Sequence, residues 1–324
     1  MAKKYRERSL IGFQQEFSTE EGCQNHLMSL RWPDGFVCPK CGGKEYWLIS
    51  TRRLLTCRNC RRQTSLTAGT AFHKTRTPLV KWYWLLYHMA MAKVGVSVAQ
   101  VQRMLEINDY KTAWLMAHKV RKAMADRDAR YSLAGLVEID ETFFGKAGAK
   151  RGRGSEHKVV VLCAVSEYTD AKGNRRPGFA HMTVVADASA ESIGVFLERL
   201  GCGPSTHNGK RLLNAIRTDG WRSYGAVAKE KELEHCRVVL ANPKDVGRLL
   251  PFVHNIITNA KCVTRGTHRG VSAKHLQKYL HEICYRFNRR FWEKELFDRL
   301  ITACVSTDTI TYDELVRGPF DSVS

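Results

Sequence analysis

The chain has 324 residues, and its 52 lysines and arginines outnumber its 32 aspartates and glutamates, which gives a formal net charge of +20. An excess of this size indicates a polyanionic partner. The longest apolar stretch, from Trp82 to Ala92, is short and contains His88, so we expect a core helix there and no membrane-spanning segment.

No apolar run follows the basic N-terminal segment Met1–Arg8, so we expect no signal peptide and a protein of the cytoplasm, associated with the nucleoid. A reducing compartment disfavours disulfide bonds. We therefore expect buried thiols at six scattered cysteines without C-x2-C pairing: Cys163, Cys202, Cys236, Cys262, Cys284 and Cys304.

The first 34 residues are predicted to be helical, and residues 35–73 are predicted to form a zinc ribbon. Cys38-Pro-Lys-Cys41 and Cys57-Arg-Asn-Cys60 are two C-x2-C knuckles separated by fifteen residues, a spacing typical of a tetrahedral structural zinc site. The second knuckle is crowded with arginines, so the ribbon is a candidate for DNA binding through Arg58, Arg61 and Arg62. The alternative is a zinc site that only holds the N-terminal region together.

Residues 74–130 are predicted to be a helical, helix-turn-helix-like DNA-binding region. Ser97 can cap a helix whose apolar face includes Val98, and a short turn leads to a second helix from Lys111 to Met124. In a helix-turn-helix the second helix enters the major groove, which makes Lys111, His118 and Lys119 candidates for contacts with bases or phosphates. An ordinary helical hairpin is the alternative.

From Leu136 onward the pattern predicts an α/β core over residues 131–300, followed by a C-terminal tail over residues 301–324. Three strands are followed by alternating helices and strands, which indicates an antiparallel meander that leads into a βαβ pattern. The predicted strands are Leu136–Phe144, Val159–Val165, Phe179–Val185, Leu212–Arg217 and His235–Leu240, and the predicted helices are Ser189–Leu200, Trp221–Lys231 and Phe252–Val263.

Two strands of this core carry carboxylates that could hold a metal. Glu138 and Asp140 are two residues apart on the first strand and therefore lie on one face, and Asp219 follows the fourth strand before a glycine. Converging aspartates at a sheet edge suit a divalent metal pair acting on a phosphodiester. Alternatively, Asp219 caps a turn and the strand acids, including Glu141, lie on an exposed edge.

Beyond the cysteine knuckles, the chain resembles a DDE-type transposase of a bacterial insertion sequence, in the ISXO-like group with an N-terminal zinc ribbon. The matching strings are Ile139-Asp-Glu-Thr-Phe-Phe-Gly145, Thr218-Asp-Gly-Trp-Arg-Ser-Tyr-Gly225, Val271-Ser-x-Lys-His-Leu-Gln-x-Tyr279 and Tyr285-Arg-Phe-Asn-Arg-Arg290. The resemblance implies a ribonuclease-H-like core, a catalytic Mg²⁺ or Mn²⁺ site with Asp140 and Asp219 as metal ligands, and DNA cleavage followed by strand transfer.

The third ligand departs from the plain DDE pattern, because the chain has no carboxylate between Asp245 and Glu282. Related subgroups have an acid seven residues before a lysine, and His254 stands seven residues before Lys261. We therefore expect His254 as the third ligand and Lys261 as a phosphate contact in the catalytic site. Imidazole suits Mn²⁺ better than Mg²⁺. Asn255 and Asn259 are rivals, and Glu282 belongs to the next predicted helix.

Two basic segments flank this site. Lys150, Arg151 and Arg153 lie in a glycine-rich loop after the first aspartate strand, and Arg265 belongs to a basic stripe over residues 261–290. Both segments are candidates for contacts with the DNA backbone.

The favoured function is therefore a transposase that binds double-stranded DNA at the ends of its insertion sequence. Because two ends must be brought together, we expect a homo-oligomer on DNA, with structural Zn²⁺ and catalytic Mg²⁺ or Mn²⁺. A non-catalytic zinc-ribbon DNA-binding protein or an inactive transposase relic is the alternative, and a metal-dependent nuclease without strand transfer is a third.

Overall fold

A computed structural model of the chain describes residues 5–49, 54–145, 158–202, 212–238 and 249–317. The chain divides into two compact units. Residues 1–127 together with residues 291–315 form the first unit, and residues 128–290 together with residues 316–324 form the second.

In chain order, the described elements are α1 (Leu10–Glu16), α2 (Glu20–Arg31), β1 (Tyr46–Ile49), β2 (Leu54–Cys57), β3 (Gln63–Ser65), α3 (Leu79–Met91), α4 (Val98–Met104), α5 (Tyr110–Asp128), β4 (Gly135–Phe144), β5 (Val159–Thr169), β6 (Arg175–Val185), α6 (Ala190–Leu197), β7 (Leu213–Thr218), α7 (Arg222–Glu230), β8 (Glu234–Arg237), α8 (Pro251–Gly266), α9 (Ala273–Asn288), α10 (Leu296–Ser306) and α11 (Tyr312–Val316). The strands and helices lie close to the positions that the sequence predicts.

The first unit is built around the aromatic helix α3. Its side chains Trp82, Tyr83 and Leu86 are buried, which confirms the expectation of a core helix. Tyr83 donates a hydrogen bond from its hydroxyl to the carbonyl of Cys23 in α2, so the phenol is satisfied where burial would otherwise be costly. Phe297 of α10 packs against the same ring at a centroid distance of 5.7 Å.

Three antiparallel strands, in the order β1-β2-β3, form the ribbon of this unit. Its hydrophobic core is small: the buried side chains are Phe36, Leu55 and the cysteines Cys38 and Cys57. Two of the four buried residues are therefore also candidate zinc ligands, so a metal would complete this core.

The second unit contains a five-stranded mixed sheet in the order β6-β5-β4-β7-β8. Strands β4, β5 and β6 pair antiparallel as a meander, whereas β7 and β8 run parallel to β4. This topology is that of a ribonuclease-H-like core, as the resemblance implied. Helices α6 and α7 pack on the face that carries Val137 and Ile139, and α8 and α9 pack on the face that carries Val161 and Cys163.

A buried carboxylate joins the central strand to the helix on this second face. The side chain of Glu138 in β4 is completely buried, and its Oε2 accepts hydrogen bonds from the backbone N–H groups of Phe252 (2.8 Å) and Val253 (3.0 Å) in the first turn of α8. A helix leaves its first N–H groups without partners, so this carboxylate caps α8 from another element. Its Oε1 lies 3.1 Å from Nη2 of Arg175.

The described helices include none that is both long and apolar enough to cross a membrane. The thiols of Cys163, Cys284 and Cys304 are buried as expected. The same expectation is wrong for Cys262, which is exposed because it lies on the outward side of α8, and Cys236 is only partly buried. The side chain of Cys202 lies outside the described residues.

We predict that Glu138→Gln destabilises the second unit by about 2 kcal/mol, because a neutral amide replaces a buried charged acceptor of two backbone hydrogen bonds. Glu167→Gln is the matched control, because Glu167 pairs with the same Arg175, and also with Arg217, but accepts no hydrogen bond from α8 among the described residues. Its change should stay below about 1 kcal/mol, since both arginines keep Glu138 as a partner. Urea unfolding measures both values, and equal losses would contradict the capping role.

Candidate metal centres and nucleic-acid interface

The four knuckle cysteines converge at one point of the ribbon. Sγ of Cys38 lies 3.6 Å from Sγ of Cys60, and Sγ of Cys41 lies 3.5 Å from Sγ of Cys57. All four sulfurs lie within 4.8 Å of one another. Tetrahedral zinc with Zn–S bonds of about 2.3 Å needs sulfurs about 3.8 Å apart, so the cluster fits this ion.

Backbone turns hold each pair of sulfurs in place. The N–H of Gly42 donates to the carbonyl of Cys38 (3.0 Å), and the N–H of Arg61 donates to the carbonyl of Cys57 (3.0 Å). Gly42 has φ 71° and Arg61 has φ 59°, so both knuckles use the left-handed conformation that lets the chain turn back on itself.

The ribbon surface combines arginine with an exposed aromatic ring. The guanidinium groups of Arg58 and Arg61 lie 5.4 Å and 4.7 Å from the centroid of Trp47. Arg58 also forms an exposed ion pair with Glu45 at 3.4 Å. Arg62 is exposed next to them. These three arginines therefore present their charge to solvent, as the predicted role in DNA binding requires.

Two aspartates meet at one edge of the sheet in the second unit. In the parallel pair of β4 and β7, Glu138 stands opposite Arg217, so Asp140 and Asp219, each two residues further on, lie level with one another. Asp219 follows the end of β7, and its Oδ1 accepts from the N–H of Trp221 (3.1 Å) across Gly220, whose φ is 87°. The tight turn thus holds this carboxylate at the edge.

Glu141 joins these aspartates, and sequence reasoning did not select it as a ligand. One carboxylate oxygen from each of Asp140, Glu141 and Asp219 lies within 4.8 Å of the others. The hydroxyl of Tyr224, a buried residue of α7, donates to Oε2 of Glu141 at 3.1 Å. The available signal was its position directly after Asp140 in the Asp-Glu-Thr-Phe-Phe-Gly string.

Burial and mutual repulsion act together on this cluster. Burial, followed by the charges of Glu141 and Asp219, raises the pKa of Asp140 to about 8, whereas Lys261 opposes the shift. Three acids this close are the ligands that Mg²⁺ or Mn²⁺ prefers. The residues present therefore fit a divalent cation.

His254 lies beside the same cluster. Its Nε2 is 3.7 Å from Oδ2 of Asp140, because the capped first turn of α8 directs this residue toward β4. Desolvation and the charge of Lys261 lower the pKa of His254, although Asp219 opposes this. A neutral imidazole keeps a lone pair for a metal.

The rival residues differ from His254 in their surroundings. Asn255 and Asn259 are exposed, and the amide of Asn259 donates to Oδ1 of Asn255 at 2.9 Å. Glu282 is buried in α9, where its charge acts on Arg286. Lys261 is partly buried within the electrostatic reach of Asp140, and burial lowers its pKa.

The remaining predicted DNA contacts fall into three groups. Lys111 and Arg265 are exposed. Lys119 is half-buried, and its Nζ donates to the carbonyl of His73 at 3.1 Å. Lys150, Arg151 and Arg153 lie outside the described residues.

The prediction that His118 contacts DNA is wrong. This residue is fully buried, and its ring lies 4.0 Å from that of Trp114. The cause is that α5 packs this part of its surface into the first unit, so the helix does not offer a continuous outer face to a DNA groove.

Two family models match the chain. The transposase zinc-ribbon domain matches residues 18–63, and the ISXO2-like transposase domain matches residues 132–288. Together they match well over half of the chain. The chain belongs to the ISXO2-like transposases. Its membership accounts for the ribbon and for the acids at the sheet edge as parts of one DNA-binding transposase.

One curated relative is an uncharacterized protein in the transposable element ISH50 of Halobacterium salinarum, which is 25% identical over 293 residues, or 86% of this chain and 93% of the relative. Among solved structures, the chain is similar to that of a pre-cleavage Mos1 transpososome. That match has a TM-score of 0.29 and 10% identity, and it covers 69% of this chain and 79% of the other.

We predict that Cys57→Ser removes zinc from the purified protein, because three sulfurs do not complete the tetrahedral site. Cys262→Ser is the control, since it removes an exposed thiol outside the cluster. Elemental mass spectrometry should find about one zinc per chain in the wild type and in the control. Zinc retained at the same level by Cys57→Ser would contradict the site.

The contribution of Asp140 to the stability of the metal-free protein should fall as the pH rises from about 4 to about 8. The folded state raises the pKa of Asp140 from 3.8 to about 8, so over this interval this carboxyl binds more protons in the folded chain than in the unfolded chain. Added Mn²⁺ should therefore raise the melting temperature more at pH 8 than at pH 5, since protons compete with the cation at the lower pH.

Asp140→Asn should reduce both the dependence of stability on pH and the rise in melting temperature caused by Mn²⁺. Asn255→Asp, a change at an exposed position, should leave the pH dependence unchanged. Differential scanning fluorimetry across this pH range gives the comparison. An equal Mn²⁺ effect in wild type and Asp140→Asn would rule out a cation at this cluster.

Proposed function

We propose that this transposase is catalytically active, that it binds the ends of its insertion sequence, and that it cleaves and joins DNA at the acidic cluster. The observation that carries the proposal is the convergence of Asp140, Asp219 and His254 at one edge of the sheet. Water attacks a phosphodiester at the element end, and the freed 3′-hydroxyl then attacks target DNA.

In this proposal Asp140, Asp219 and His254 hold the divalent cation. Glu141 supplies the third carboxylate that α8 lacks, and the hydroxyl of Tyr224 orients it. When bound, Mg²⁺ or Mn²⁺ supplies Lewis-acid chemistry for phosphoryl transfer. The zinc of the ribbon is structural.

The cations around the cluster hold DNA in this proposal. Lys261 contacts the phosphate next to the scissile bond, since it is the partly buried cation nearest Asp140 on α8. Arg265, one turn further along, contacts the following backbone. The ribbon arginines and Lys111 bind the element ends. Two copies of the chain bring the two ends together, and the protein acts on the chromosome in the cytoplasm.

The test is cleavage and joining of a labelled duplex that carries the gene's own flanking ends, in Mg²⁺ and then in Mn²⁺. Asp140→Ala should reduce product at least about a thousandfold, as loss of a central catalytic group does. His254→Ala should reduce it at least about tenfold, and Asn255→Ala, the exposed neighbour, should be neutral.

Two outcomes would separate this proposal from its alternatives, and a third tests the role of Glu141. Tight binding to the ends without cutting in either metal would indicate a non-catalytic DNA-binding protein or an inactive relic, which the missing acid of α8 favours. Cleavage without joined product would indicate a nuclease. Full activity of Glu141→Gln alongside inactive Asp140→Ala would remove Glu141 from the ligand set.

A further inference from the structure

The first unit contains a cleft of about 410 Å³ at some distance in sequence from every candidate metal ligand. One wall is the segment Lys74–Pro78 with the start of α3, and the other is the turn Glu106–Asp109 with the first half of α5. This volume lies within the range of pockets that bind small organic ligands.

Four cations line the cleft and outnumber its two acids: Lys74, Arg76, Lys81 and Lys119. Two of them bridge to backbone carbonyls: Nζ of Lys81 donates to Glu106 (2.7 Å), and Nζ of Lys119 donates to His73 (3.1 Å). Each ammonium keeps two further N–H donors.

Carboxylates do not neutralise these four cations within the described part of the chain, where none of them forms an ion pair. Of the two lining acids, Asp109 already accepts hydrogen bonds from the backbone N–H (3.2 Å) and the hydroxyl (3.4 Å) of Thr112 at the start of α5. The cleft therefore attracts an anion and offers it donors at a half-buried lysine.

Part of the lining is apolar. Ile107, Leu115 and Met116 contribute to it, and the indole of Trp82, which also lines the cleft, donates a hydrogen bond from its Nε1 to Oγ1 of Thr75 (2.8 Å). A bare phosphate would leave this wall without a partner. A nucleotide combines an anionic phosphate with a flat apolar body and so matches both parts.

We propose that this cleft binds one nucleotide of a DNA strand, with the phosphate at the four cations and the sugar and base against the apolar wall. The inference rests on the proposed DNA-binding function and adds a specific site to it. The recognition chemistry is that of single-stranded DNA, in which a nucleotide can leave the stack.

The test compares two double variants of the full chain. Arg76→Gln with Lys74→Gln removes two exposed cleft cations, and Arg103→Gln with Lys93→Gln removes the same charge from exposed positions that do not line the cleft. The probe is a fluorescein-labelled 20-mer of thymidylate, measured by anisotropy over a salt series, and melting temperatures check that all proteins are folded.

The cleft variant should bind the probe about tenfold more weakly than wild type, and its salt slope should fall by about one to two. The control should lose less than about threefold. An equal loss in both variants would overturn the proposal, because it would show a general effect of charge.

A second probe tests whether the cleft binds the sugar and base or the phosphate alone. This probe is the same DNA backbone without bases. It should bind wild type more weakly than the thymidylate probe, and Leu115→Ala should reduce the difference in affinity between the two probes. An unchanged preference in Leu115→Ala would overturn the assignment of the apolar wall. If the wild type binds and cleaves its own ends but the cleft variant binds the probe as well as the control does, the cleft inference alone is wrong. If the wild type does not bind DNA, the proposed function is wrong.

Discussion

The candidate catalytic site depends on the buried carboxylate of Glu138. This side chain lies two residues before Asp140 on β4 and accepts the free N–H groups at the start of α8. It therefore ties the strand that carries the first aspartate to the helix that carries His254. A charge in this position is stable only because it receives hydrogen bonds and arginine contacts, so the interaction permits one arrangement of strand and helix.

The second constraint is electrostatic. Asp140, Glu141 and Asp219 are held together by strand pairing and a turn, although their charges repel one another, and burial together with this repulsion raises the pKa of Asp140 to about 8. Packing over the rest of the sheet must offset this cost. Strained charge clusters of this kind are typical of functional sites, because a bound cation converts the repulsion into affinity.

The constraint in the first unit is the small hydrophobic core of its ribbon. This ribbon has too few buried side chains to fold on apolar burial alone, and two of those side chains are cysteines. Metal binding and core formation are then one process, as in other small zinc modules. The arginines on the ribbon surface are exposed and take no part in this small core. Two of the four cations in the basic cleft beside α5, Lys81 and Lys119, donate to backbone carbonyls, which are uncharged and leave the positive charge of both lysines available.

Local patterns in the chain were enough to predict the knuckle cysteines, the strands and helices of the core, and the convergence of Asp140 and Asp219 at one sheet edge. These features depend on short-range periodicity, on turn residues such as Gly220, and on the regular pairing of parallel strands. The position of His254 on α8 was predicted from its spacing to Lys261.

Contacts between distant segments decided the rest. Glu138 looked like a possible surface acid, and only the docking of α8 onto β4 made it a buried cap. Glu141 gained its role from Tyr224, a residue far along the chain. His118 looked like a DNA contact and Cys262 like a buried thiol, and packing reversed both, because the burial of a helical residue depends on which face meets the core. Periodicity predicts that a helix has two faces, and tertiary packing determines where each one points.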